Sequence, residues 1–202
     1  PYCGCGSLKV DGGRTVFIAG HPSQPPALVA YDLEAGGEAV LRRSANVAID
    51  PDDVSRAEAV VFPTSGGREA HAFFYPPGNR EFRGPAGELP PLIVKSHGGP
   101  TAQTGAAFEM KIQFWTSRGF AVLDVNYGGS TGYGRAYRRS LDGGWGVVDV
   151  DDCEAGARYM AAQGRVDGGK LIITGGSAGG YTTLCALTFC DTFRAGASHY
   201  GI

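Results

Sequence analysis

An α/β fold is what this sequence predicts: a parallel sheet covered by helices, preceded by a smaller β-rich segment. Three observations carry that expectation. From residue 92 onward, short apolar runs alternate with stretches of helical period. A Gly-x-Ser-x-Gly turn separates one of those runs from a helical stretch. Before residue 50, short apolar runs are divided by turn-rich pieces.

The amino-terminal part reads as β-structure. Arg14–Ala19, Ala27–Asp32 and Glu38–Arg42 are three short strands, the first two separated by His21-Pro-Ser-Gln-Pro-Pro26. Such a meander suits one blade of a propeller, and one blade needs neighbours to bury both faces. Residues 51–58 are polar, begin with proline and read as a linker. Ala59–Thr64 and Glu69–Tyr75 flank Ser65-Gly-Gly-Arg68, a hairpin signal, and the proline-rich stretch 76–91 reads as a surface insertion. The expected domains are 1–56, the end of a propeller-like unit, and 57–202, the start of a larger α/β unit.

Within 57–202 the alternation is explicit. Leu92–Ser96, Phe120–Val125 and Leu171–Thr174 are apolar strands, and Ala195–Ile202 begins a fourth. Helices are expected at 107–118 (Phe108, Ile112 and Trp115 about one turn apart), at 147–163 and at 179–190. Apolar strands joined by helices imply a parallel sheet covered on both faces.

Composition narrows the function classes. Hydrophobic residues make up 43% and charged residues 19% of 202 residues, the balance of a globular protein. A formal net charge of −2 offers no attraction for nucleic acid or a membrane surface, and no apolar run is long enough to span a bilayer. Five cysteines at 3, 5, 153, 185 and 190 show no zinc-finger spacing and read as reduced thiols, which suggests a cytoplasmic location. The chain opens on Pro1 and stops at Ile202 inside an apolar run, so it reads as an internal segment of a longer protein.

Chemistry concentrates in Gly175-Gly176-Ser177-Ala178-Gly179-Gly180. A Gly-x-Ser-x-Gly turn between strand and helix is the nucleophile elbow of an α/β-hydrolase. The sharp turn exposes the Ser177 hydroxyl, and the Ala178 amide opens the helix where an oxyanion is stabilised. A Walker-type phosphate loop would need Gly-Lys-Ser/Thr, which is absent. His97-Gly98-Gly99-Pro100 also follows a strand, and its Gly99 amide is the expected second oxyanion donor.

The fold orders its triad as serine, acid, histidine. After Ser177 only Asp191 and His199 satisfy that order. A helix over 179–190 carries Asp191 about 18 Å from the elbow, beyond reach. His199 returns toward the active edge on a strand but is not favoured as the base. His97 precedes the serine and reads as a ring packed beneath the oxyanion loop, while His21 and His71 read as surface or packing residues. Tyr127 and Tyr133 could touch substrate but read as packing residues. Asp149, Asp151 and Asp152 open a helix, where carboxylates favour the dipole, and read as structural rather than metal-binding. The segment alone is therefore expected to be inactive.

Four stretches carry a family resemblance: His97-Gly-Gly-Pro100, Asn126–Gly134, Trp145–Asp152 and Gly175–Tyr181. Through them residues 92–202 resemble the prolyl oligopeptidase family of serine peptidases, particularly its acylaminoacyl- and dipeptidyl-peptidase branch. The resemblance implies an α/β-hydrolase sheet, here its amino-terminal part, preceded by the last blade of a β-propeller. It implies peptide hydrolysis with Ser177 as nucleophile, Gly99 and Ala178 as oxyanion amides, and the acid and base beyond Ile202. Many members have Asn-Tyr-Arg-Gly-Ser where this chain has Asn126-Tyr-Gly-Gly-Ser130, so no role of that arginine carries over to Gly128. No cofactor or metal is implied. The expected partner is a peptide substrate, with no nucleic acid and no membrane, and homo-oligomer formation stays open. A carboxylesterase or lipase on the same fold, and a non-catalytic relative that binds through its pocket, remain the alternatives.

Overall fold

The computed structural model describes residues 2–47 and 49–202. Its first sheet is a four-stranded antiparallel meander, β1 (Gly4–Asp11), β2 (Arg14–Gly20), β3 (Ala27–Asp32) and β4 (Glu38–Arg43), in that spatial order. Ala19, Ala27 and Val29 form its small core, with Tyr2 and Phe17 packed against them. Three of these strands match the expected runs. The edge strand β1 was not expected, because Gly4 and Gly6 dilute its apolar alternation and every residue in it is exposed. Pairing with β2, from Gly4 opposite Gly20 to Asp11 opposite Arg14, is what holds it.

The 51–58 segment is anchored rather than free. It holds a short 3-10 turn, Pro51–Asp53, and Ser55 is pinned through its backbone by the Gln113 amide, with both hydrogen bonds 2.9 Å long.

The second sheet contains β5 (Glu58–Pro63), β6 (Glu69–Tyr75), β7 (Leu92–Ser96), β8 (Ala121–Asn126), β9 (Leu171–Gly176) and β10 (Ala195–His199). Its order is β10-β9-β7-β8-β6-β5. The four strands from β10 to β8 run parallel, but β6 lies antiparallel to β8 and β5 antiparallel to β6. The sheet is thus mixed, which corrects the expectation of a parallel one. A connection as short as residues 64–68 can only return as a hairpin, so this edge cannot join through crossovers.

The central strands alternate their side chains between two apolar layers. Leu92, Val94, Leu123, Val125 and Ile173 enter the larger core, covered by α3 (Val148–Ala162) and α4 (Ala178–Phe189) through Val150, Cys153, Met160 and Ala186. Ile93, Val122 and Tyr75 face the other way and meet Ile112 of α1 (Met110–Thr116). That helix is shorter than expected and turned differently. Phe108 lies before it, buried, with its N–H donating to His21 O (2.8 Å), while Trp115 stays 40% exposed. Ile112, Gln113 and Thr116 point inward instead, because Gln113 must reach Ser55. A further short helix, α2 (Gly134–Arg139), follows the glycine-rich loop and was not expected. Residues 76–91 form no strand or helix, as expected of an insertion. Among the described residues, no helix is long and apolar enough to cross a membrane.

Candidate active site

The carboxyl ends of β7, β8 and β9 carry three consecutive features: the 97–109 loop, the 127–133 loop and the turn at Ser177. Ser177 sits between the last residue of β9 and the first of α4 with φ 56° and ψ −124°. This is a costly conformation for a residue with a side chain, held because its surroundings over-determine it. The Ser177 N–H donates to His199 O (3.0 Å), and Ser177 O accepts from Tyr181 N (3.1 Å). The flanking glycines leave no room for substitution. A Cβ at Gly175 would enter the Gly179 carbonyl oxygen, and one at Gly179 would enter the carbonyl oxygen of Ser96. Strand, helix and the Ser96–His97 stretch therefore touch backbone to backbone. Ala178 begins α4, where first-turn amides have no intrahelical partner and the helix dipole favours negative charge.

The 97–100 stretch lies directly against this turn. A Cβ at Gly98 would stand 3.4 Å from Ser177 Cβ and 3.9 Å from its Oγ. Gly99 has φ +131°, and a side chain there would also strike the Ala102 backbone at 2.6 Å. The structure thus brings Gly98 against the turn at Ser177.

His97 is committed elsewhere than to the serine. Its ring stacks on Tyr127 (centroids 4.3 Å apart), with Nδ1 2.8 Å from Gly98 O and Nε2 2.8 Å from Ser130 Oγ. Burial lowers its pKa from the ordinary histidine value. Tyr127 is fully buried and donates its hydroxyl to His97 O (2.8 Å), which makes it a packing residue. Tyr133 stacks on His71 (4.1 Å), and its hydroxyl accepts from Asn126 Nδ2 (3.0 Å). His21 bonds within its own turn, where its Nδ1 accepts from Ser23 N (3.1 Å). The His199 ring lies near Tyr200 on an exposed strand, and Asp191 follows the far end of α4. Among the described residues, no histidine ring bonds the Ser177 hydroxyl.

The three aspartates at the start of α3 do more than favour a dipole. Asp152, wholly buried, accepts from Gly128 N (2.7 Å), Thr64 Oγ1 (2.7 Å) and Arg68 Nη2 (3.0 Å). Asp149 accepts from Gly146 N (2.6 Å) and from the Thr182 hydroxyl, and Asp151 accepts from Ser65 Oγ (2.7 Å). Asp151 and Asp152 hold the β5–β6 turn and Asp149 holds Gly146 and Thr182, and no cluster of metal-ligating side chains exists among the described residues. Gly128 is packed so tightly that a Cβ would meet Ser140 Oγ at 2.6 Å and Arg68 Nη1 at 3.1 Å. An arginine of the hairpin turn therefore stands beside the position where the family resemblance led one to look for an arginine.

Sequence reasoning missed one charged cluster. Lys95 and Asp124 face each other in the parallel register of β7 and β8 and pair at 3.0 Å. Glu109 joins Lys95, and Thr104 Oγ1 donates to Asp124 (2.6 Å). Burial opposes the Lys95 charge, but the two carboxylates outweigh it and hold its pKa above the ordinary value. The cluster ties the 97–109 loop down onto the sheet. A charged residue at the same offset in two adjacent apolar runs, Leu92–Ser96 and Ala121–Asn126, was its only sequence signal.

A mainly parallel sheet with a strained serine turn between its third parallel strand and a helix defines the α/β-hydrolase class. Residues 106–202 match the model of the prolyl oligopeptidase family. Residues 106–202 thus carry the similarity to that family. A solved puromycin-hydrolysing peptidase of Mycobacterium tuberculosis is 44% identical with a TM-score of 0.96, over 100% of this chain and 32% of its own. Dipeptidyl aminopeptidase BIII of Pseudoxanthomonas mexicana is 38% identical over 55% of this chain and 16% of its own length. The human acylamino-acid-releasing enzyme is 30% identical over 93% of this chain and 26% of its own. The chain thus spans a third or less of each of these three relatives.

Proposed function

We propose that this chain carries the nucleophile and oxyanion site of a serine peptidase acting on short peptides. Ser177 attacks the scissile carbonyl, and the Gly99 and Ala178 amides receive the negative charge that develops on its oxygen. The histidine that takes the serine proton, and the acid that orients it, come from residues outside 1–202. The segment alone therefore turns over no substrate. Residues 1–56 form the last blade of a propeller that restricts access, and 57–202 begin the hydrolase domain. Five free cysteines support a cytoplasmic location.

The observation that carries this reading is Ser177 at positive φ with the Gly98 backbone against it. The amide preference is supported by relatives named as peptidases and as puromycin-hydrolysing enzymes. The test compares the full-length enzyme on aminoacyl-nitroanilides, puromycin and short-chain esters. Amide hydrolysis is expected. Strong ester cleavage with no amide cleavage would show a carboxylesterase instead.

A further inference from the structure

We propose that His97 is a positioning residue, aiming the Gly99 amide at the substrate oxygen through a hydrogen bond from its ring Nδ1 to the Gly98 carbonyl. The inference rests on the oxyanion role given above to Gly99. Its basis is the geometry of one peptide plane. The Gly98–Gly99 bond is trans, so the Gly98 C=O and the Gly99 N–H point in opposite directions. Gly98 O faces the His97 ring at 2.8 Å, which turns the Gly99 N–H away from the ring. Gly98 of this plane lies beside Ser177, since a Cβ added to it would stand 3.4 Å from Ser177 Cβ and 3.9 Å from Oγ. Whatever holds the ring therefore sets the direction of the amide.

Proton accounting assigns the tautomer. A carbonyl oxygen only accepts, so Nδ1 carries the hydrogen. Nε2 lies 2.8 Å from Ser130 Oγ, whose own hydrogen is donated to Tyr127 O (2.7 Å). Ser130 is fully buried, so this oxygen is held in place beside the ring. Stacking on Tyr127, and the bond from the Tyr127 hydroxyl to His97 O, fix the ring's plane and its backbone. His97 neither reaches the serine proton nor is placed to touch substrate. Its part is to hold a peptide plane before the reaction starts, which is where an oxyanion donor gains most of its value.

The test uses the full-length enzyme and three variants, His97→Ala, His97→Asn and His97→Gln. An asparagine amide nitrogen stands where Nδ1 stands, whereas glutamine reaches toward the Nε2 position. On an aminoacyl-nitroanilide, His97→Ala is expected to lower kcat about 100-fold, the cost of losing one oxyanion donor. KM should stay within about twofold, because the interaction is made in the transition state. His97→Asn should recover to within about tenfold of wild type, and His97→Gln should remain as low as His97→Ala. Wild-type kcat in His97→Ala, or an asparagine variant no better than glutamine, would overturn the proposal. If the alanine variant does not fold, the asparagine–glutamine comparison decides alone. A wild-type enzyme that spares the amide and takes no fluorophosphonate at Ser177 defeats the peptidase reading, and this inference with it.

Discussion

At the scale of single residues, the site depends on atoms that are missing. Ser177 can hold its strained backbone only because strand and helix approach closely at Gly175 and Gly179. The account expects Gly179→Ala to push its methyl into the Ser96 and His97 carbonyls and to cost about 3 kcal/mol, at the upper end of overpacking. Gly84→Ala, in open space, is the control and should be near neutral. Urea unfolding of the two variants checks this, and equal midpoints would contradict it. The turn at Ser177 was legible in the sequence because strand, glycine turn and helix are local and contiguous. The Ser130–His97 bond was not, since it joins residues 33 apart whose approach depends on how two loops fold.

At the scale of elements, the loops at the active edge are fastened from behind. Asp152 of α3 gathers Gly128 from the loop after β8 and Thr64 and Arg68 from the β5–β6 turn. Arg68 approaches both carboxylate oxygens, at 3.0 and 3.3 Å, a two-pronged geometry that lysine cannot copy. Arg68→Ala is expected to cost about 2 kcal/mol. That is below the 3–5 typical of a fully buried pair, because the arginine is partly exposed and Asp152 keeps its other donors. Arg68→Lys should regain less than half, measured by urea unfolding, and a full recovery would contradict the two-pronged reading. Strands with mainly apolar runs, such as β7 and β8, could be read from sequence alone. The edge strand β1 could not, because partner bonds rather than side-chain pattern hold it. The joining of β6 to β8 was also hidden, since an apolar run does not state the direction of its neighbour. Helix α1 was overextended because Phe108 mimics helical spacing while packing ahead of the first turn.

At the scale of the whole molecule, two sheets meet at the loop that carries Gly99. The β2–β3 connection reaches it through His21 O and Phe108 N, and Gly20 packs close to Ala107. The Lys95–Asp124–Glu109 cluster fixes the same loop from the sheet side. The first sheet thus touches the chemistry of the second through one short stretch. The strand–helix alternation from residue 92 was legible, but this contact was not, because it is made by backbone. The central claim concerns Ser177, and covalent capture tests it most directly. The full-length protein is exposed to a fluorophosphonate probe beside its Ser177→Ala variant. The account predicts stoichiometric labelling of the wild type at Ser177 and none in the variant. Labelling that survives the substitution, or a wild type that takes no label, would contradict it.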